Sequence, residues 1–259
     1  MDRLDRLHWV YAEHAGAHGP RVLLVHGSIV PGWQTWSAQR PLADGHRLTV
    51  PHRTGYPPNP SLARIDFEVQ AAEVADIIEP GMHVVAHSYG AVVSLLAAAR
   101  VPDRVRSLAI IEPPAFGLAR GNAAVEALID LVRSLSADPG LSPRAFFLRF
   151  AGTVGATPTL PDPLPPDMVA AAQATRVERP PWEARIPFDV LTGARFPKLV
   201  FSGAHSAAFD AVVDVLAARL PAERVVITGA NHSVQRTGEP FNARLRSFIA
   251  DAEAGRARG

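Results

Sequence analysis

A serine stands where a buried strand gives way to a helix, in the segment Val84-Val85-Ala86-His87-Ser88-Tyr89-Gly90-Ala91. The small residues beside Ser88 would let the strand and the helix pass close together. A sharp turn of this kind pushes the serine side chain out at the carboxyl end of a sheet, where a base could activate its hydroxyl as a nucleophile. The alternative is that Ser88 caps the amino end of an ordinary helix. A thiolate nucleophile is excluded, because the chain contains no cysteine.

The segment Ala86-His87-Ser88-Tyr89-Gly90 resembles the Gly-x-Ser-x-Gly nucleophile elbow of the α/β-hydrolase family, with alanine in place of the first glycine. The residues His26-Gly27-Ser28, which follow an early apolar run, look like the His-Gly loop of that family. The resemblance covers nearly the whole chain, from about Leu7 to Ile249. It implies an α/β-hydrolase fold, with a mostly parallel central sheet flanked by helices and an inserted helical lid.

The resemblance also implies which groups stabilise charge and move protons. Two backbone N–H groups, those of Ser28 and Tyr89, would form the oxyanion hole. His26 is then expected to tie down its loop and not to act as a base. The general base would be His232, in the loop Gly229-Ala230-Asn231-His232 after a late strand. A serine hydroxyl needs such a base because it is a weak nucleophile until its proton is taken.

Two carboxylates compete for the role of the acid that orients His232. The family most often places an aspartate after the strand at 198–201, but Ser206 stands at that position and Asp210 follows four residues later, in a predicted helix. Glu112 closes the apolar run 105–111, where some family members take their acid. A lone carboxylate at the end of an apolar strand is costly unless it is paired. We therefore expect Glu112 to be the acid, with Asp210 as the alternative.

Three residues are candidates for contacts with a substrate. Trp33 could line an apolar pocket, although simple packing would explain it equally well. Phe116 could cover a substrate from the lid or belong to the lid's own core. His205, beside Ser206, is expected to form a polar wall of the pocket. We assign no role to His52.

Several short apolar runs predict strands buried on both faces, since each run is continuous and does not alternate with polar residues. They span 22–26, 47–50, 83–87, 105–111, 198–201 and 224–228. A more alternating segment at 7–13 predicts an antiparallel edge strand. Helical patterns lie between the runs at 36–42, 67–79, 88–100, 209–220 and 240–254. Strands that alternate with helices predict a doubly wound α/β sheet.

One stretch, 113–195, lacks a buried-strand pattern and predicts a mostly helical lid inserted into a single core domain of residues 1–112 and 196–259. Its helical patterns lie at 123–135, 142–150 and 166–175, with a proline-rich passage between the last two. The alternative is a second independent domain. The strand pattern resumes at Lys198, however, and the chain that follows is too short to build a new sheet.

Composition excludes several other classes of protein. The 259 residues carry a formal net charge of +1, so the basic surplus typical of nucleic-acid binders is missing. Neither a membrane span, a signal peptide, a glycine-rich phosphate loop nor a metal-ligand spacing such as HExxH is found. We expect a cytoplasmic monomer or homodimer that binds a small-molecule substrate and uses no cofactor and no metal.

The sequence thus predicts a serine hydrolase that cleaves an ester, thioester or lactone of a small, mostly apolar substrate through an acyl-enzyme on Ser88. The same residues would also suit a carbon–carbon bond hydrolase, a lyase, or an acyl-transfer or cyclisation enzyme. A further alternative is a ligand-binding protein that keeps the fold without catalysis.

The choice of acid is testable by mutation. Glu112→Gln removes the charge that would stabilise the imidazolium of His232, so it should lower turnover by about 10⁴-fold while the protein still folds. Asp210→Asn is the matched control and should leave turnover near that of the wild type. Steady-state kinetics and circular dichroism of both variants provide the measurement, and a loss confined to Asp210→Asn would reverse the assignment.

Overall fold

The computed structural model describes residues 11–156 and 158–256, and one sheet of seven strands organises them. The strands are β1 (Ala12–Ala15), β2 (Arg21–Val25), β3 (Arg47–Pro51), β4 (Met82–His87), β5 (Val105–Ile111), β6 (Lys198–Ser202) and β7 (Glu223–Val226). Their order across the sheet is β1-β3-β2-β4-β5-β6-β7. The edge strand β1 is antiparallel to β3, and all other neighbouring pairs are parallel. Of the edge strand predicted at 7–13, residues 7–10 lie outside the described residues.

The strands are continuous apolar runs because both faces of the sheet are covered. In β2, Val22 and Leu24 belong to a buried cluster on one face, whereas Leu23 and Val25 belong to the cluster on the opposite face. Successive side chains of a strand point to opposite faces, so a strand covered on both sides has no solvent-facing position that would favour a polar residue. The predicted α/β-hydrolase fold is therefore confirmed at the level of its sheet.

Helices pack on each face of this sheet. The helices are α1 (Gly32–Trp36), α2 (Phe67–Ile77), α3 (Tyr89–Arg100), α4 (Ala123–Ala137), α5 (Pro143–Thr153), α6 (Pro166–Arg176), α7 (Phe188–Gly193), α8 (Ala207–Arg219) and α9 (Glu239–Arg256). Helices α2, α3, α7 and α8 contribute to one face and α1 and α9 to the other. The helix predicted at 36–42 is instead a 3-10 helix, Ser37–Asp44, directly after α1. None of the described helices combines the length and the apolarity needed to cross a bilayer.

The sequence predicted that the strand at 224–228 would be buried on both faces, and the structure shows that it is not. It is β7, and Val226 on it is 42% exposed. The reason is its position, because β7 pairs with β6 on one side and ends the sheet on the other. The following loop still carries His232 at the carboxyl end of the sheet.

The segment predicted to be a lid, residues 113–195, is called the lid below; it lies between β5 and β6 and contains α4, α5, α6 and α7. Its helices share an apolar cluster with Ile29 of the His-Gly loop, and the buried lid members of that cluster are Leu135, Phe146, Phe147, Ala151 and Ala172. Its last helix, α7, contributes no residue to this cluster; Phe188 and Leu191 are instead buried in the cluster on the sheet, as Val125 and Ile129 of α4 also are.

The turn after Ser88 depends on the absence of a side chain at Gly90. A Cβ added there would lie 2.2 Å from the carbonyl oxygen of His26 and 2.8 Å from that of Val25. We predict that Gly90→Ala lowers the free energy of unfolding by about 1–3 kcal/mol, because backbone atoms must move apart. In Gly152→Ala, on α5, the new Cβ meets nothing within 4 Å, and stability should rise by up to about 1 kcal/mol from helix propensity. Urea denaturation of both variants checks the contrast, and equal stability of Gly90→Ala and wild type would contradict it.

Candidate active site

Ser88 occupies a strained turn between β4 and α3. Its backbone has φ +54° and ψ −126°, which a residue with a side chain rarely adopts. The turn is held by its own N–H, which donates to the carbonyl of Ile111 on the neighbouring strand at 2.8 Å. The side chain forms no N-cap hydrogen bond to the helix, so the alternative of an ordinary helix cap does not describe this serine.

The hydroxyl of Ser88 instead faces His232. Ser88 Oγ lies 2.9 Å from Nε2 of His232, and Nδ1 of the same ring lies 3.5 Å from Oε2 of Glu112. All three side chains are buried. With the proton of the neutral ring on Nδ1, facing the carboxylate, Nε2 is free to accept the proton of the serine hydroxyl.

Glu112 is fully buried and is held as a carboxylate by three donors. His205 Nε2 lies 3.0 Å from Oε2, and the N–H of Gly203 donates to Oε1 at 2.7 Å. Burial by itself would raise the pKa of Glu112, but the hydrogen bonds from His205, His232 and Gly203 outweigh it and lower the pKa to about 2. The side chain is therefore charged at neutral pH.

Asp210, the alternative acid, has other partners. Its Oδ1 accepts a hydrogen bond from Ser202 Oγ at 2.6 Å and one from Arg224 Nη2 at 2.9 Å. It lies on the first turn of α8, and its hydrogen bonds and ion pair are with Ser202 and Arg224 and not with His232. The structure thus brings together Ser88, His232 and Glu112 and leaves Asp210 out.

Ser88 opens onto two cavities. The larger, of about 340 Å³, is bordered by Ser28 and Tyr89 and is otherwise mainly apolar, with walls that include Pro114, Phe116, Val132, Phe150, Val154, Pro181, Trp182 and Phe209. The smaller, of about 180 Å³, contains the His232 side of the site and more polar groups, among them Asn231, Ser233, Gln235 and Arg236. A substrate could therefore extend from Ser88 in two directions of different polarity.

A sequence model of the Alpha/beta hydrolase family matches residues 22–244. The chain belongs to this family. The match includes the His-Gly loop, the turn at Ser88, Glu112 and His232. The predicted family and fold are thus confirmed.

Individual relatives support the same fold. Over 103 residues the chain is 35% identical to a pimeloyl-(acyl-carrier protein) methyl ester esterase of Methylococcus capsulatus, a match that covers 39% of this chain and 40% of that protein. A thermophilic esterase from Thermogutta terrifontis, solved with malate bound, is 21% identical, with a TM-score of 0.66 over 94% of this chain and 93% of that one. An N-acyl homoserine lactone degrading enzyme is 22% identical, with a TM-score of 0.63 over 92% and 96% of the two chains. At these identities the solved structures show the fold alone.

The two expected oxyanion residues of this α/β hydrolase, Ser28 and Tyr89, both border the larger cavity beside Ser88. Within the described part of the chain, neither backbone N–H donates to another group. The hydroxyl of Ser28 donates to Oε2 of Glu178 at 2.5 Å, and that of Tyr89 donates to the carbonyl of Arg179 at 3.0 Å. Both side chains are thus hydrogen-bonded to the lid, while their N–H groups have no acceptor among the residues that the structure describes.

The three expected substrate contacts have different outcomes. Phe116 borders the larger cavity and also packs in the apolar cluster on the sheet. Trp33 borders neither cavity at Ser88; α1 directs its indole, 7% exposed, into the cluster on the sheet, under the guanidinium of Arg40, which is the packing alternative. His205 is not part of either cavity wall, because its ring turns inward to reach the buried charge of Glu112.

Two other histidines have structural roles. The N–H of Arg53 donates to His26 Nε2 at 2.9 Å, and Nδ1 of the ring lies 2.7 Å from the carbonyl of Gly27. Burial lowers the pKa of His26 well below its usual range, and Arg53 adds to the effect. This neutral ring ties down the His-Gly loop, as predicted. His52 connects Pro57 and Glu13, at 2.6 Å and 3.0 Å.

Sequence reasoning missed a buried ion pair next to this site. Arg53 Nη2 lies 2.7 Å from Oε1 of Glu178, and the two side chains are 0% and 5% exposed. Arg53 lies two residues after the carboxyl end of β3, and a cation at that position was the available signal in the sequence. Glu178 follows a lid helix, where no local pattern distinguishes it from a solvated glutamate.

Among the described residues, one group of side chains could also hold a metal ion, namely Glu112, His205 and His232. One atom from each lies within 4.8 Å of the others. Those atoms already form the hydrogen bonds to Oε2 of Glu112. A metal bound there would compete with the contact between His232 and its carboxylate.

The protonation of His232 gives a further prediction. Burial lowers the pKa of His232 below 6.5, and the Glu112 carboxylate opposes this shift. The ring should therefore titrate below pH 6.5 in the wild type and lower still in Glu112→Gln, which lacks the opposing charge. Nuclear magnetic resonance of ¹⁵N-labelled histidine checks both values, with the signal assigned by its loss in His232→Gln. A midpoint above pH 6.5, or an upward shift in Glu112→Gln, would contradict the explanation.

Proposed function

We propose that the protein is a serine hydrolase that cleaves carboxylic esters of small, mostly apolar molecules through an acyl-enzyme on Ser88. The observation that carries this proposal is the 2.9 Å contact between Ser88 Oγ and His232 Nε2, at a strained turn that opens onto both cavities. A serine hydroxyl aligned with a buried neutral imidazole, itself backed by a carboxylate, is the arrangement that acyl transfer requires.

Acylation begins when Ser88 Oγ attacks the ester carbonyl carbon and its proton passes to Nε2 of His232. Glu112 stabilises the imidazolium that forms, without taking the proton itself. The carbonyl oxygen becomes an oxyanion, which the N–H groups of Ser28 and Tyr89 bind. The bond to the leaving alkoxide then breaks, and His232 returns the proton to it, so an alcohol departs and the acyl group stays on Ser88.

Deacylation repeats these steps with water. His232 takes a proton from a water molecule, whose oxygen attacks the acyl carbon and forms a second oxyanion in the same place. The bond to Ser88 Oγ breaks, and His232 returns the proton to the serine. The products are a carboxylic acid that contains one solvent oxygen and the regenerated enzyme.

The two cavities suggest how a substrate is oriented. The apolar cavity of about 340 Å³ borders the proposed oxyanion groups and suits the acyl chain. The more polar cavity borders His232, which must protonate the leaving group, and suits the alcohol. The names of the relatives, a methyl ester esterase and a lactone-degrading enzyme, extend the substrates to be tested to methyl esters and lactones.

A panel of p-nitrophenyl esters of increasing acyl length tests the proposal. We expect hydrolysis of short and medium chains, and Ser88→Ala should reduce kcat on the order of 10⁶-fold. Ser94→Ala is the matched control, because Ser94 is a buried serine on α3 whose hydroxyl has no partner among the described residues. It should retain wild-type kcat.

Further outcomes separate the other chemistries of the same site. In H₂¹⁸O, hydrolysis puts one labelled oxygen into the acid, whereas acyl transfer to another acceptor does not. A fluorophosphonate should label the wild type and not Ser88→Ala. A folded wild-type protein that neither turns over the panel nor takes the label would contradict the proposal and favour a binding protein.

A further inference from the structure

We infer that two lid residues, Thr175 and Glu178, are positioning residues that hold the oxyanion loop Gly27–Ile29 in its active shape. The inference rests on the proposed function, because it concerns the N–H of Ser28 as an oxyanion donor. It gives the lid a role beyond covering the substrate, because lid side chains would hold the loop whose N–H group binds the oxyanion of the transition state.

Each residue of the loop forms a hydrogen bond with Thr175, with Glu178 or with Arg53, the ion-pair partner of Glu178. The carbonyl of Gly27 accepts from Arg53 Nη2 at 2.8 Å, and the hydroxyl of Ser28 donates to Glu178 Oε2 at 2.5 Å. The N–H of Ile29 donates to Thr175 Oγ1 at 2.9 Å. One backbone acceptor, one side chain and one backbone donor are therefore held in three consecutive residues.

The loop needs such support because its backbone is strained. Ile29 has φ +68°, in the left-handed region that a β-branched side chain strongly disfavours. A strained residue keeps its conformation only when the surrounding structure over-determines it. The hydrogen bond from its N–H to Thr175 and the burial of its side chain among lid residues supply that constraint.

The carboxylate of Glu178 is itself held rigidly. Its Oε1 accepts from Arg53 Nη2 at 2.7 Å and from the hydroxyl of Tyr56 at 2.8 Å, and Arg53 Nη1 donates to Gln70 at 2.6 Å. Burial, together with the charge of Glu178, raises the pKa of Tyr56, so its hydroxyl stays protonated and donates. The orientation of Glu178 Oε2 toward Ser28 is therefore determined by bonds on its other oxygen.

The same lid segment also holds the second oxyanion residue. The hydroxyl of Tyr89 donates to the carbonyl of Arg179, and the N–H of Arg179 donates to the carbonyl of Ile65 on the core at 2.7 Å. The N–H of Ile65 in turn donates to Val177 at 2.9 Å. Adjacent residues of one lid segment thus contact the side chains of both proposed oxyanion donors, Ser28 and Tyr89.

Substitutions at Thr175 test the inference with little change in shape. Thr175→Val removes the acceptor for the Ile29 N–H, whereas Thr175→Ser keeps a hydroxyl there. We expect Thr175→Val to lower kcat for a p-nitrophenyl ester by about 10- to 100-fold with KM close to wild type, since a small misplacement of a reacting group can have this effect. Thr175→Ser should recover most of that loss. Thr153→Val, on α5, is the lid control and should not change kcat, because its hydroxyl donates to Arg149 of its own helix.

A second variant avoids the buried ion pair, whose loss could prevent folding. Ser28→Ala removes the hydrogen bond to Glu178 but keeps the backbone N–H and the contact of Glu178 with Arg53. It should also lower kcat, with an unchanged pH profile because His232 and Glu112 are untouched. Thermal unfolding of each variant confirms that the protein is folded under the assay conditions.

A trifluoromethyl ketone provides a readout that a purely structural role would not change. It forms a tetrahedral adduct with Ser88 whose oxygen lies in the oxyanion hole, and ¹⁹F resonance reports its affinity. In Thr175→Val and Ser28→Ala that affinity should fall by the same factor as kcat/KM, while binding of the carboxylic acid product stays constant. Wild-type kcat and adduct affinity in both variants, or a rise in KM alone, would overturn the inference. A wild type that forms no adduct and hydrolyses no ester would instead overturn the proposed function, and this inference with it.

Discussion

The buried carboxylate of Glu112 is the group on which the arrangement of the site depends. Its charge is fully removed from water, and an isolated charge in that position would cost several kcal/mol. The donors that satisfy it are Gly203, His205 and His232, which are 91, 93 and 120 residues away along the chain. Each follows the carboxyl end of β6 or β7, the two strands that come after β5 in the sheet, and Glu112 follows the carboxyl end of β5. A parallel sheet in this strand order is what brings these ends to one edge.

The strained turn at Ser88 lies at the same edge of the sheet, at the end of β4, which is the neighbour of β5 on the side away from β6. β4 lies between β2 and β5, and the close approach of Gly90 to the carbonyl of His26 brings the His-Gly loop against the turn. The packing that admits no side chain at position 90 therefore also sets the distance between Ser88 and the loop that carries Ser28. Both Ser88 and Glu112 have positive φ, at +54° and +47°. The N–H groups of both residues donate to carbonyls on adjacent strands, and these hydrogen bonds hold conformations that neither residue would adopt alone.

The lid contributes two different physical effects to this site. Its apolar side chains form most of the larger cavity, and excluding water there strengthens every electrostatic interaction with the reacting atoms. Glu178 of the lid also forms a buried ion pair with Arg53 of the core. Such a pair adds little to the stability of the fold, since desolvation offsets most of the attraction between the two charges. A buried pair of this kind is better explained by the single geometry it imposes, here on the loop at residues 27–29.

Local features of the sequence were sufficient for much of the fold. The apolar runs predicted β2 to β6 within one or two residues, because strands covered on both faces favour apolar side chains at nearly every position. The elbow at Ser88 was predicted from a buried strand, a serine and a small residue two positions later, together with the resemblance of this segment to the family's motif. The three helical patterns in the lid, at 123–135, 142–150 and 166–175, also lie within α4, α5 and α6 or begin one residue before them.

Features that depend on neighbours distant in the chain were not predictable in this way. Trp33 suited a pocket and simple packing equally well, and His205 was expected in the pocket wall. The direction of each side chain was decided by what lay opposite it, an apolar cluster for Trp33 and a buried charge for His205. The contact of Arg53 with Glu178 joins residues 125 apart. The sequence by itself determined the strands, the turn and the chemical types available at the sheet edge, because these follow from short-range sterics and burial. Tertiary structure alone decided which charged groups form pairs and which loops they hold, because a buried charge pairs with groups that are distant in the chain and that only the fold places close to it.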